Sequence, residues 1–93
     1  MKHSGKNIPV SMVCHTMDCG EIKPLKFKIK HKDGSDMVYT VKHTSKIERQ
    51  HHSGVKTIFF YSVISINDTD YDVAFRFTPD TCKWELSRVL GKS

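Results

Sequence analysis

Five lysines, Lys23, Lys26, Lys28, Lys30 and Lys32, fall within ten residues, and His31, Lys42 and Lys46 lie close by in sequence. Ammonium groups packed this densely neutralise phosphates, and each phosphate neutralised makes binding weaker as salt rises. Lys26, Lys28 and Lys30 alternate with Leu25, Phe27 and Ile29. A strand sends successive side chains to opposite faces, so this spacing predicts one apolar face and one ladder of lysines. If Met37 to His43 pairs back as a hairpin, Lys42 falls on or near the same face. The anionic partner such a surface fits is RNA or DNA, or an acidic protein. Small barrels that bind nucleic acid interleave aromatics for base stacking. Here Phe27 points away from the lysines. The plain alternative is a solvated outer strand whose lysines discourage edge-to-edge pairing.

The thiols and imidazoles offer less. Cys14, His15 and Cys19 are close, and His51 and His52 are adjacent. Zinc sites favour paired ligands two to four residues apart. Cys14 and Cys19 stand at the loose end of that range, no second pair follows, and His51 and His52 would face opposite ways in a strand. No bound metal and no cofactor is expected, with a Cys14–Cys19 bridge across a tight turn left open. Cys14 and Cys82 fall on the apolar sides of their strands, where a thiol acts as a small hydrophobe. Asp68, Asp70 and Asp72 have the spacing that opens a calcium loop, but the glycine and glutamate it needs are replaced by Val73 and Pro79. No nucleophile elbow, phosphate-binding glycine loop or metalloprotease helix is present, so an enzyme is not expected.

The elements that would position these residues read as strands. Ile8, Val10, Met12 and Cys14 alternate through Thr16, and Asp18 and Gly20 mark a turn. Pro24 suits the start or edge of the lysine strand. Asp33-Gly34 is a hairpin signal, after which Met37, Tyr39 and Val41 share a face to His43. Ile47 to Gln50 reads as a weaker strand or extended bend, and His51 to Gly54 as a loop. Val55 to Ile66 is apolar on both faces, hence a central strand or one bent around a barrel. A helix is the rival reading, against which its lack of good helix formers counts. Asn67 to Asp70 is a turn, Tyr71 to Phe77 a strand, and Pro79-Asp80 a turn. Cys82, Trp84 and Leu86 form a last strand, and Arg88 to Ser93 frays or turns.

The last strands resemble a group of small single-domain bacterial β proteins found mainly in Firmicutes. The residues that carry the likeness are Ser65-Ile66-Asn67, the alternating run Tyr71 to Phe77, and Thr81-Cys82-Lys83-Trp84-Glu85-Leu86, with Pro24-Leu25-Lys26-Phe27-Lys28 near the front. Thr-Cys-Lys-Trp is the most specific piece, and the resemblance covers Ile8 to Leu86. His43 to Lys56, with three histidines, is more polar than the pattern. The resemblance implies a single β domain and carries over no activity, ligand or catalytic residue.

Ninety-three residues argue for one domain, set at 8–90 with a flexible N-terminus at 1–7. A chain of this length buries roughly two-thirds of its unfolded surface, so its core is thin. The nine aromatics, mostly in the second half, matter accordingly. The fold expected is all-β, a six- to seven-stranded antiparallel barrel, with a two-sheet β-sandwich as the alternative. Its core would be Leu25, Phe27, Ile29, Ile58, Phe60, Val73, Phe75, Phe77, Trp84 and Leu86. No apolar run approaches the roughly 20 residues of a membrane span. The opening residues lack the apolar stretch of a signal peptide, and three cysteines are an odd number, so a cytoplasmic protein with reduced thiols is expected. The net charge of +5 favours anionic partners. The function expected is a non-catalytic binding module using Lys23, Lys26, Lys28, Lys30, Lys32 and Lys42. The alternative is a self-associating structural or regulatory protein, a homodimer through Val55–Ile66.

Overall fold

The computed structural model describes residues 7–18, 20–30 and 34–93. Their alternating side chains form six strands: β1 (Ile8–Thr16), β2 (Ile22–Lys30), β3 (Asp36–His52), β4 (Val55–Ile66), β5 (Thr69–Thr78) and β6 (Lys83–Lys92). Each strand pairs antiparallel with the next, and β6 returns to β1, so the sheet closes into a barrel in simple chain order. The core expected from alternation is largely the core found. Phe27, Val41, Phe60, Ile64, Val73, Phe75, Phe77, Trp84 and Leu86 are buried together, with Ile29 and Ile58 packed against them. Phe27 meets Phe75 edge-on at 4.9 Å between centroids, and Trp84 lies 4.7 Å from Phe77 and 5.0 Å from Phe60. Such aromatic pairs add to the stabilisation from burial alone.

The strands curve because residues are inserted into them. Register shifts leave Leu25 unpaired in β2, Lys42 and Ser45 in β3, and Ser87 and Leu90 in β6. Each bulge bends its strand and sharpens its twist, which closing a sheet of only six strands requires.

These bulges account for the misplaced residues. Leu25 is not in the core: it is 39% exposed, because Pro24 takes the inward position and the alternation restarts one residue later. Ile47 to Gln50 is no separate element, since β3 runs unbroken through both of its bulges. His51 and His52 belong to that strand, and the turn is only Ser53-Gly54, both with positive φ (52° and 79°). The turn after β4 is likewise Asn67-Asp68 alone, with φ of 51° and 64°. Two positive φ values in succession give the turn twist that joins antiparallel strands without splaying them. Arg88 to Lys92 is paired strand rather than frayed tail, its alternation masked by the extra Ser87 and Leu90. Cys82 is not on an apolar strand face. It sits exposed in the Pro79–Cys82 turn at φ 55°, its N–H donating to the Pro79 carbonyl at 3.2 Å.

β4 is central, as its two apolar faces suggest. Its second face is covered from within the chain: Val63 is buried between cross-strand His43 and Asp72, and Ala74 of β5 between Tyr61 and Arg88. Among the described residues no helix is long and apolar enough to cross a membrane.

Candidate nucleic-acid interface

The lysine positions follow from the register of β2. Phe27 is buried and Ile29 half-buried on the barrel's inside, so Lys26, Lys28 and Lys30 point outward. Lys23 also faces solvent, because the bulge at Leu25 separates it from Lys26 by an odd step without turning it inward. Outward residues two apart along a strand stand about 7 Å from one another. Lys32 and His31 lie outside the described residues.

The cross-strand neighbours complete this face. His15, Val13 and Ser11 of β1 stand opposite Lys23, Lys26 and Lys28, and Thr40 and Val38 of β3 flank Lys26 and Lys28 on the other side. Val13 is 49% and Val38 61% exposed. Together with Lys26 and Lys28 they line a shallow groove of about 280 Å³. Sequence reasoning passed over Val13 and Val38, although the alternation that turns Met12 and Tyr39 inward also turns their neighbours outward.

Among the described residues Lys28 meets Asp36 at 3.7 Å, whereas Lys23, Lys26 and Lys30 form no ion pair. Both Lys28 and Asp36 are largely exposed, so that pair is a weak competitor for an incoming anion. Lys42 is exposed on the neighbouring strand, two residues beyond Thr40, the partner of Lys26. It is the bulged residue of β3, and its Nζ lies 3.0 Å from a carboxylate oxygen of Asp70, two strands away on β5. Among the described residues of this face, Lys23, Lys26 and Lys30 are thus without a carboxylate partner, while Lys28 and Lys42 each have one.

The outward aromatics lie elsewhere, on β4. Phe59 and Tyr61 are half-buried, the Lys46 Nζ stands 5.8 Å from the Tyr61 ring centroid, and the Tyr61 hydroxyl donates to Glu48 at 3.2 Å. Beside them Arg76 makes two charge-assisted hydrogen bonds, from Nε at 3.0 Å and Nη2 at 2.6 Å, to Glu85. Lys46 and Arg76 thus each have a carboxylate at hand, unlike Lys23, Lys26 and Lys30.

A different opening lies between β1 and the β5–β6 turn. A cavity of about 660 Å³ there reaches Met12, Cys14, Phe77, Cys82 and Trp84. Cys14 is exposed as a residue, yet partial burial at this wall pushes its thiol above the ordinary value of 9.0. Among the described residues no three His, Cys, Asp or Glu side chains are gathered as a metal site. Cys19 lies outside the described residues.

The chain matches no family model, no curated protein and no solved structure.

Proposed function

We propose that this domain is a non-catalytic binding module whose outer β2 face contacts the phosphate backbone of RNA or DNA. The observation that carries the reading is the placement of Lys23, Lys26, Lys28 and Lys30 on one exposed face with Lys28 alone loosely paired. An acidic protein would answer the same charge. The even spacing of Lys26, Lys28 and Lys30 favours a partner whose charges also repeat regularly. With Val13 and Val38 between the lysines instead of stacking rings, the contact would be to backbone and not to bases. The free thiols of Cys14 and Cys82 support a cytoplasmic setting.

Three or four phosphates neutralised give a log–log salt slope of about −2 to −3 on single strands. Titration with single- and double-stranded oligonucleotides at two salt concentrations tests this. Binding at low salt that falls with such a slope supports the reading. No binding at low salt, or affinity indifferent to salt, defeats it.

Self-association through Val55–Ile66 is the second reading. β4 is hydrogen-bonded on both edges, and of its apolar side chains Val55 is the exposed one. A dimer there would have to use the half-covered outer face around Phe59 and Tyr61.

A further inference from the structure

The barrel is closed unevenly. β1 meets β6 only at Ile8–Leu86, Pro9–Glu85 and Val10–Trp84, and Pro9 has no N–H to give to that seam. From Ser11 to Thr16, β1 is paired with β2 on one side, and among the described residues no strand lies on its other side. Backbone groups of successive residues point to opposite edges, so every second residue of this stretch turns its N–H and C=O to the open side. An edge of this kind recruits another strand unless it is blunted by charge, proline or a bulge. Along Ser11–Thr16 there is no proline and no Lys, Arg, Asp or Glu, and the extra residue of the bulge at Val13/Cys14 belongs to the partner strand β2. β1 as a whole, alone among the six strands, carries no Lys, Arg, Asp or Glu. The lysines that would guard an edge sit one strand inward, on β2.

We propose that the Ser11–Thr16 edge is a self-association surface, on which a second copy of this chain adds its own β1 antiparallel about a two-fold axis. Antiparallel pairing of one edge with itself is self-complementary, so the contact closes at two chains. Charge complementarity points to the same occupant. An uncharged edge meets its copy without repulsion, whereas a charged peptide would find nothing on β1 to answer it. The lysine faces of the two copies would stand three inter-strand spacings apart, about 14 Å. That exceeds the screening length of about 8–10 Å at physiological salt, so their repulsion is largely screened. Pairing would also cover the seam cavity, into which Met12, Cys14 and Trp84 project. This proposal is independent of the nucleic-acid reading.

Sedimentation velocity of the full chain in reductant, over a hundredfold range of concentration, tests it. The weight-average mass should rise towards that of two chains. Trp84, the single tryptophan, should become harder to quench with acrylamide over the same range. Val13→Lys and His15→Lys both place a charge on the outward side of this edge, and each should weaken association at least tenfold. If one of them fails to fold, the other carries the test. Val38→Lys, on the same outer surface but two strands away, should leave association unchanged. A strict monomer throughout, association unaltered in both edge variants, or association abolished by reductant would each overturn the proposal. None of these outcomes bears on oligonucleotide binding, which is read separately.

Discussion

Phe75 shows what a single side chain contributes in so thin a core. It has no exposed surface, lies edge-on to Phe27, and pairs across the sheet with Phe60 and Leu86. Phe75→Ala should cost about 3–5 kcal/mol. Against a total of about 5–15 kcal/mol for a domain, that leaves the fold marginal, and the denaturant midpoint measures it. Cys14 makes a prediction about pH. Its thiol is held above the ordinary value by partial burial, so the folded chain keeps that proton more firmly than the unfolded one. Stability from this group is therefore present below pH 9.0 and declines as pH rises through the folded value. Cys14→Ser should flatten that alkaline decline, seen by comparing thermal midpoints of the two proteins from pH 7 to 10. Alkylation of Cys14 should also stay slow at neutral pH, since the thiolate is the reactive form. Phe75 was legible in the sequence because its stretch alternates without interruption. The exposure of Cys14 was not, because period-two spacing reports the direction of a side chain and not whether the wall it faces is open.

At the scale of elements, regular stretches were read correctly and bulged ones were not. β1, β2 from Lys26 onward, β4 and β5 alternate or are continuously apolar, and their assignments match the structure. β3 and the end of β6 each contain two extra residues, and every extra residue reverses the faces that follow it. A sequence pattern interrupted twice in a few residues looks like a bend or a frayed end, which is how Ile47 to Gln50 and Arg88 to Ser93 were read. Alternation through Val41 places Lys42 outward near the ladder, but spacing could not show its 3.0 Å contact with Asp70, two strands away. The closing seam yields a prediction of its own. Its short ladder includes Pro9, so opening it breaks few hydrogen bonds, whereas β3–β4 pair over almost the whole of both strands. Amide exchange should therefore be fastest, within the strands, along the free edge Ser11–Thr16 and at Val10. It should be slowest in β4 and β5, where local opening approaches global unfolding. Equal protection in β1 and β5 would contradict the weak seam. The ion pair Arg76–Glu85 joins β5 to β6 at the seam itself, since Glu85 also stands opposite Pro9. Glu85→Gln should cost about 1 kcal/mol, reduced by partial exposure, read from the denaturant midpoint.

For the whole molecule the radius of gyration is 13.2 Å, against about 12 Å expected for a compact chain of 93 residues. Part of the difference is the β3–β4 hairpin. β4 leaves β5 at Ile58, so Gln50–Thr57 extends past the barrel wall with residues 51–56 all exposed. Positive charge is thus available in more than one place, on β2 and at Arg49 and Lys56 near the hairpin tip, and net charge alone would attract nucleic acid to either. The position of the charge must decide. Lys26→Glu and Lys42→Glu change the net charge of +5 by the same amount, each to +3. Lys26 stands unpaired in the middle of the ladder, while Lys42 is engaged with Asp70. If the β2 face holds the phosphates, Lys26→Glu should weaken oligonucleotide binding by tenfold or more and flatten the salt slope by about 1–2, since one contact is lost and a neighbouring one opposed. Lys42→Glu should weaken it by only a small factor. Equal losses from the two variants would mean that the protein responds to a phosphate chain through its overall charge, and the ladder would then be a solvated outer strand whose regular spacing reflects only the alternation of β2.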